Sequence, residues 1–150
     1  MKILNAGKLP ADRIVKCPNG GFTSHRLVIE DDAMGYSMTK TVVHPGKPHR
    51  WHYQHHLETC YCVSGKGLLI NEASKELVAV GPDVTYVLDK HDAHTFEALE
   101  PTTLICVFNP PLKGMNCMMQ IIPTLGVRRF TPCAVFLLKR LRLMITTLTQ

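Results

Sequence analysis

Between Ser24 and Phe108 turn-forming residues interrupt the chain so often that no long helix fits. Asp31-Asp32-Ala33, Ser64-Gly65-Lys66-Gly67, Gly81-Pro82-Asp83 and Asp89-Lys90-His91-Asp92 are the punctuation. Between them lie short runs at 26–29, 36–43, 59–63, 67–70, 76–80, 85–88, 95–98 and 103–108, rich in Val, Thr, Ile and Tyr. Residues 71–75 join two of these runs as a hairpin. No stretch in this region carries a helical period. The expectation is an all-β domain of about eight or more short antiparallel strands, closed as a sandwich or small barrel.

The 150 residues suffice for one sizeable core. The formal charge of +5 suggests a nucleic-acid partner, but its distribution argues against one. Residues 1–114 hold 12 basic and 12 acidic side chains, whereas 115–150 hold Arg128, Arg129, Lys139, Arg140 and Arg142 and no acid. All eight histidines fall before Gly114. Two compositions meet there, giving a 1–114 domain and an atypical 115–150 tail. Within that tail 133–145 could form an amphipathic helix, or could be an unselected stretch. The start, Met1 to Lys8, lacks the apolar core of a secretion signal, and no run is long enough to span a bilayer. A cytoplasmic protein with reduced cysteines is expected; Cys60-x-Cys62 places two of the six on one strand face and has neither redox nor zinc-knuckle spacing.

His49, His52, His55, His56 and Glu58 fall within ten residues. Glu58, followed by six residues and Gly65, resembles the first motif of the cupin superfamily, and 82–94 has the spacing of the second. In that superfamily ligands on neighbouring strands converge in a barrel mouth. Imidazole and carboxylate donors with open positions suit Fe(II), and also Zn, Mn or Ni. The ordinary His-x-His pair is absent: its positions hold Trp51 and Tyr53, or His52 and Gln54. The usual glycine of the second motif is Asp83, which tolerates a turn conformation. A non-metal, sugar-binding cupin or a plain His-rich loop stays open at this point.

Longer strings narrow the choice. Asp31 to Ser37, Trp51 to Cys62, Tyr86-Val87-Leu88-Asp89-Lys90-His91-Asp92-Ala93-His94 and Val107-Phe108-Asn109-Pro110-Pro111-Leu112-Lys113-Gly114 together resemble the ectoine synthases. The resemblance covers residues 1–114. It implies a cupin-type jelly-roll barrel, a cytoplasmic homodimer, and an iron-dependent lyase closing N4-acetyl-L-2,4-diaminobutyrate to ectoine plus water. It further implies metal ligands at Glu58, Tyr86 and His94, and a substrate pocket at Arg26, Thr41, Tyr53, His56, Cys106 and Phe108. Tyr53 and His56 are the candidates for proton transfer, and Arg26 for holding a carboxylate. Two pocket positions depart from the family: its Trp is Phe22 and its Asn is Thr39.

The family's Glu and His that lie over the substrate have no counterpart in Met115 to Thr124. The genetic code accounts for this. Shifting the frame so that the last base of the Met115 codon begins a codon forces Glu, Leu, His or Tyr, then Asp, restoring the family's spacing. Residues 115–150 then read as out-of-frame translation after a one-base deletion near the Gly114 codon. The alternative function is a lid-deficient, catalytically impaired metal-binding cupin that takes a small amino-acid-like ligand.

Overall fold

The computed structural model describes residues 1–114. The tail expected at 115–150 lies outside the described residues. Ten strands fold as two antiparallel sheets. The larger has the order β1 (Ile14–Lys16), β2 (Phe22–Val28), β3 (Ser37–Val43), β10 (Thr102–Asn109), β5 (Leu57–Ser64) and β8 (Thr85–Leu88). The smaller has the order β4 (His49–Trp51), β9 (His94–Ala98), β6 (Gly67–Asn71) and β7 (Leu77–Val80). Helical structure among the described residues is limited to three 3-10 turns. The all-β expectation holds. Two strands were not legible: β1, which has three residues, and β4, which sits in the segment that reads as a His-rich loop.

Alternation does most of the construction. On β3 every second residue from Ser37 to Val43 is buried, and on β10 every second residue from Thr102 to Phe108. The inward sets meet across the barrel with Phe96, Val43, Leu104 and Val80, all essentially inaccessible to solvent. An aromatic cluster closes one region of the interior: Trp51 stacks on His49 at 5.8 Å and on Phe96 at 6.2 Å, and Phe22 meets it edge-on at 5.7 Å.

The last described strand is tied down at its exit. Leu112, 1% exposed, donates its N–H to Ser37 Oγ at 3.0 Å and accepts from Glu30 N at 3.0 Å. Asp32 anchors the neighbouring turn. Its carboxylate accepts from Arg13 at 2.7 Å and from Ile29 N at 3.0 Å, which holds its pKa well below the usual carboxylate range.

Asp83 adopts φ 69°, the turn conformation expected of it. Gly65, the glycine of the first motif, has φ 90°, and a Cβ there would lie 2.4 Å from Pro101 O and 2.5 Å from Thr102 Cα. The turn between β5 and β6 is thus pressed against the start of β10, and only glycine fits. Gly65→Ala is expected to destabilise the protein by about 2–4 kcal/mol, read as a lower urea midpoint with an unchanged slope. A change below about 0.5 kcal/mol would mean that this turn relaxes freely.

Candidate active site

Strand register assembles the site. Arg26 pairs with Thr39, Thr39 with Cys106, Cys106 with Cys60, and Cys60 with Tyr86, so one row crosses five strands of the larger sheet. The next row on the same face carries Ser37, Phe108, Glu58 and Leu88. On the other side lie Ser24, Thr41, Leu104 and Cys62. Because side chains alternate, these three rows point to the same interior.

A cleft of about 420 Å³ opens over them, lined by Arg26, Thr41, Tyr53, Glu58, Tyr86, Cys106 and Phe108, together with Phe22, Thr39 and Trp51. Seven of the nine residues expected from the sequence line this one cavity. The two positions that depart from the family, Phe22 and Thr39, line it as well. His56 and His94 are not in the lining but touch it: His56 meets the Tyr53 ring edge-on at 6.1 Å, and His94 lies 5.9 Å from Trp51 and 6.3 Å from Tyr86. Of the remaining histidines in the cluster, His49 is buried in the aromatic stack and His55 is exposed.

The polar groups in this interior are paired in specific ways. Thr41 donates to Ser24 Oγ at 2.9 Å. Tyr53 packs on Phe108 at 4.9 Å. His56 Nδ1 lies 2.7 Å from Pro110 O; a carbonyl only accepts, so Nδ1 carries the proton and Nε2 the lone pair. His94 follows the same logic. Its Nδ1 donates to Asp92 O at 3.1 Å, and its buried Nε2 has no hydrogen-bond partner. Burial lowers the His94 pKa, keeping the imidazole neutral and able to coordinate. Glu58 is 7% exposed; Oε1 accepts from Cys60 Sγ at 3.2 Å, and Oε2 has no partner. Burial also pushes the Tyr86 phenol well up.

Two buried coordinating atoms without partners are costly by about 1–3 kcal/mol each. Such atoms are what a metal site leaves exposed when no ion is present, so the chemistry of Glu58 and His94 fits a divalent cation. A second group also qualifies: Glu58, Cys60 and Cys106 have potential ligand atoms within 4.8 Å of one another. The sequence reading assigned Cys60 to the core and missed it here. The period-two spacing of Glu58, Cys60 and Cys62 on one strand is the signal that finds it.

The matches to known proteins agree with this architecture. The ectoine synthase family model matches residues 2–120. An L-ectoine synthase of Marinomonas sp. (strain MWYL1) is 45% identical over 103 residues, covering 69% of this chain and 80% of that one. The crystal structure of ectoine synthase from P. lautus superposes with a TM-score of 0.71 at 29% identity, covering 76% of this chain and 81% of that one. A Cupin_2 domain of an XRE family transcriptional regulator from Enterobacter cloacae shares the fold, with TM-score 0.51 and 15% identity over 61% of this chain and 98% of that one.

Burial lifts the Glu58 pKa from 4.5 to about 7. Between those values the folded chain keeps a proton that the unfolded chain has released, so stability falls as pH rises. In metal-free protein the loss from pH 4.5 to 7 is expected to be on the order of 2–3 kcal/mol, measured by denaturant titration. Glu58→Gln should abolish that slope. An unchanged slope in the variant would assign the effect to another group.

Proposed function

The chain belongs to the ectoine synthase family, and from that membership we infer its reaction: it is an L-ectoine synthase, a lyase that closes N4-acetyl-L-2,4-diaminobutyrate with loss of water. The 2-amino nitrogen attacks the acetyl carbon, a C–N bond forms, and the acetyl oxygen leaves as water with two protons from the nitrogens. The cyclisation is intramolecular, so holding the substrate folded is a large part of the catalysis.

Glu58, Tyr86 and His94 are proposed to hold the metal, Fe(II) in preference to Zn, Mn or Ni, given a set of carboxylate, phenol and imidazole donors. Fe(II) there supplies Lewis acidity toward the acetyl carbonyl. Arg26, 2% exposed in the cavity wall, binds the substrate carboxylate with its planar fork. Tyr53 and His56 carry protons to and from the reacting nitrogens and oxygen. Thr41, Cys106 and Phe108 shape the remaining wall. The observation that carries this reading is the pair of buried atoms without partners, Glu58 Oε2 and His94 Nε2, beside a cleft that the expected substrate residues line.

The absence of a Glu-x-His lid from 115–124 favours a second state of the same enzyme, one that binds metal and ligand but turns over slowly. We propose that residues 115–150 are out-of-frame. The frame-restored protein should then cyclise substrate roughly 100-fold faster than the 150-residue chain. In the restored background Glu58→Ala and His94→Ala should lose bound iron and at least about 100-fold in turnover. Full activity in either variant removes the metal assignment, and equal rates for the two frames remove the lid.

No helix among the described residues is long and apolar enough to cross a membrane, and a cytoplasmic location is proposed. So is a homodimer. Leu57, Tyr61, Val63, Val87 and Val107 are 37–59% exposed on the outward face of β5, β8 and β10, where register makes them neighbours: Val107 faces Thr59, which faces Val87. Such a contiguous apolar face is characteristic of an interface. Val87→Lys should shift the sedimentation coefficient toward the monomer; an unchanged dimer would place the interface elsewhere.

A further inference from the structure

Cys60 and Cys106 have no part in the cyclisation beyond the wall that Cys106 provides, yet they are the most closely placed pair of reactive groups in the interior. They face each other across the β5–β10 ladder, and their sulfurs lie 3.0 Å apart. Directly opposed residues in an antiparallel pair have Cα atoms about 4.5–5.5 Å apart, within the span a disulfide accepts. Both are free thiols. Their access to solvent differs: Cys106 is 5% exposed and lines the cleft, while Cys60 is fully buried behind it.

We propose that Cys106 and Cys60 form a peroxide-sensitive dithiol in the wall of the active site, and that their oxidation to a disulfide disables it. Cys106 Sγ attacks one oxygen of hydrogen peroxide; the O–O bond breaks, Cys106 becomes a sulfenic acid and one water leaves. Cys60 Sγ then attacks that sulfur; the S–S bond forms, the S–O bond breaks, and the oxygen leaves as a second water with the Cys60 proton. Two thiols are oxidised and one peroxide is reduced. An added dithiol reverses the step by exchange. The disulfide takes away the S–H donor that now serves Glu58 Oε1 and draws the Cys106 sulfur off the cleft wall. The loss of function rests on the reading of Glu58 as a ligand; formation of the link does not.

The test is peroxide treatment of the folded full chain, alkylation of remaining thiols after unfolding, and proteolytic mapping by mass. The expected result is a peptide pair joined through Cys60 and Cys106, lighter by two hydrogens and released by dithiothreitol. Met34, 58% exposed, serves as an internal gauge of oxidant dose. Absence of the link at a dose that converts Met34 to the sulfoxide would overturn the proposal. In Cys60→Ser, which keeps a donor toward Glu58, Cys106 should stop at the sulfenic or sulfinic acid. An unmodified Cys106 there would overturn the proposed point of entry. Iron retention should fall in step with the link in the parent chain. A link that forms with iron fully retained would refute the disabling effect while leaving the dithiol standing.

Discussion

Everything in the site hangs on the double pairing of β10. That strand is held on one side by β3 and on the other by β5, each over at least seven residue pairs. The two registers together decide that Arg26, Thr39, Cys106, Cys60 and Tyr86 form one row. A slip of one residue on either side would turn half of the donors outward. The irregularity between Thr103 and Leu104 lies at the far end of the ladder, where β10 begins. The pairing beside Cys106 and Phe108 is regular. The reactive groups therefore sit on the stiffest part of the sheet, which suits a site that must hold a folded substrate.

The interior is not arranged for stability. Glu58 Oε2 and His94 Nε2 are buried without partners. Arg26, Ser24, Thr39 and Thr41 are also almost wholly buried. Each would be cheaper as a hydrocarbon. The opposing contributions come from the aromatic cluster around Trp51 and from the apolar core of Phe96, Leu68, Leu104 and Val43. A cation binding the two orphan atoms would recover part of the cost, so folding and metal loading are coupled in this chain.

Much of this was legible in the residues. Turn chemistry located eight of the ten strands, because Gly65, Asp83 and the Asn71 to Lys75 hairpin disclose local geometry directly. β1 and β4 were missed because three-residue strands carry too few positions for alternation to register. The wall residues came from family strings, not from spacing. No local pattern distinguishes Thr41 or Phe108 from ordinary core. Cys60 was overlooked for a different reason. Its role depends on which residue stands opposite on another strand, 46 positions away, and register of that kind is not written in either strand alone.

The anchoring of Leu112 has a bearing on inheritance. Its backbone hydrogen bonds to Ser37 and Glu30 seal the barrel two residues before Gly114. Every ladder of both sheets is complete upstream of that point. A gene encoding this barrel can therefore acquire a lesion, a fusion or a recombined 3′ end beyond Leu112 and still specify the same scaffold. The position is a natural graft point, at which selection can discard or exchange the covering segment without rebuilding the cup beneath it.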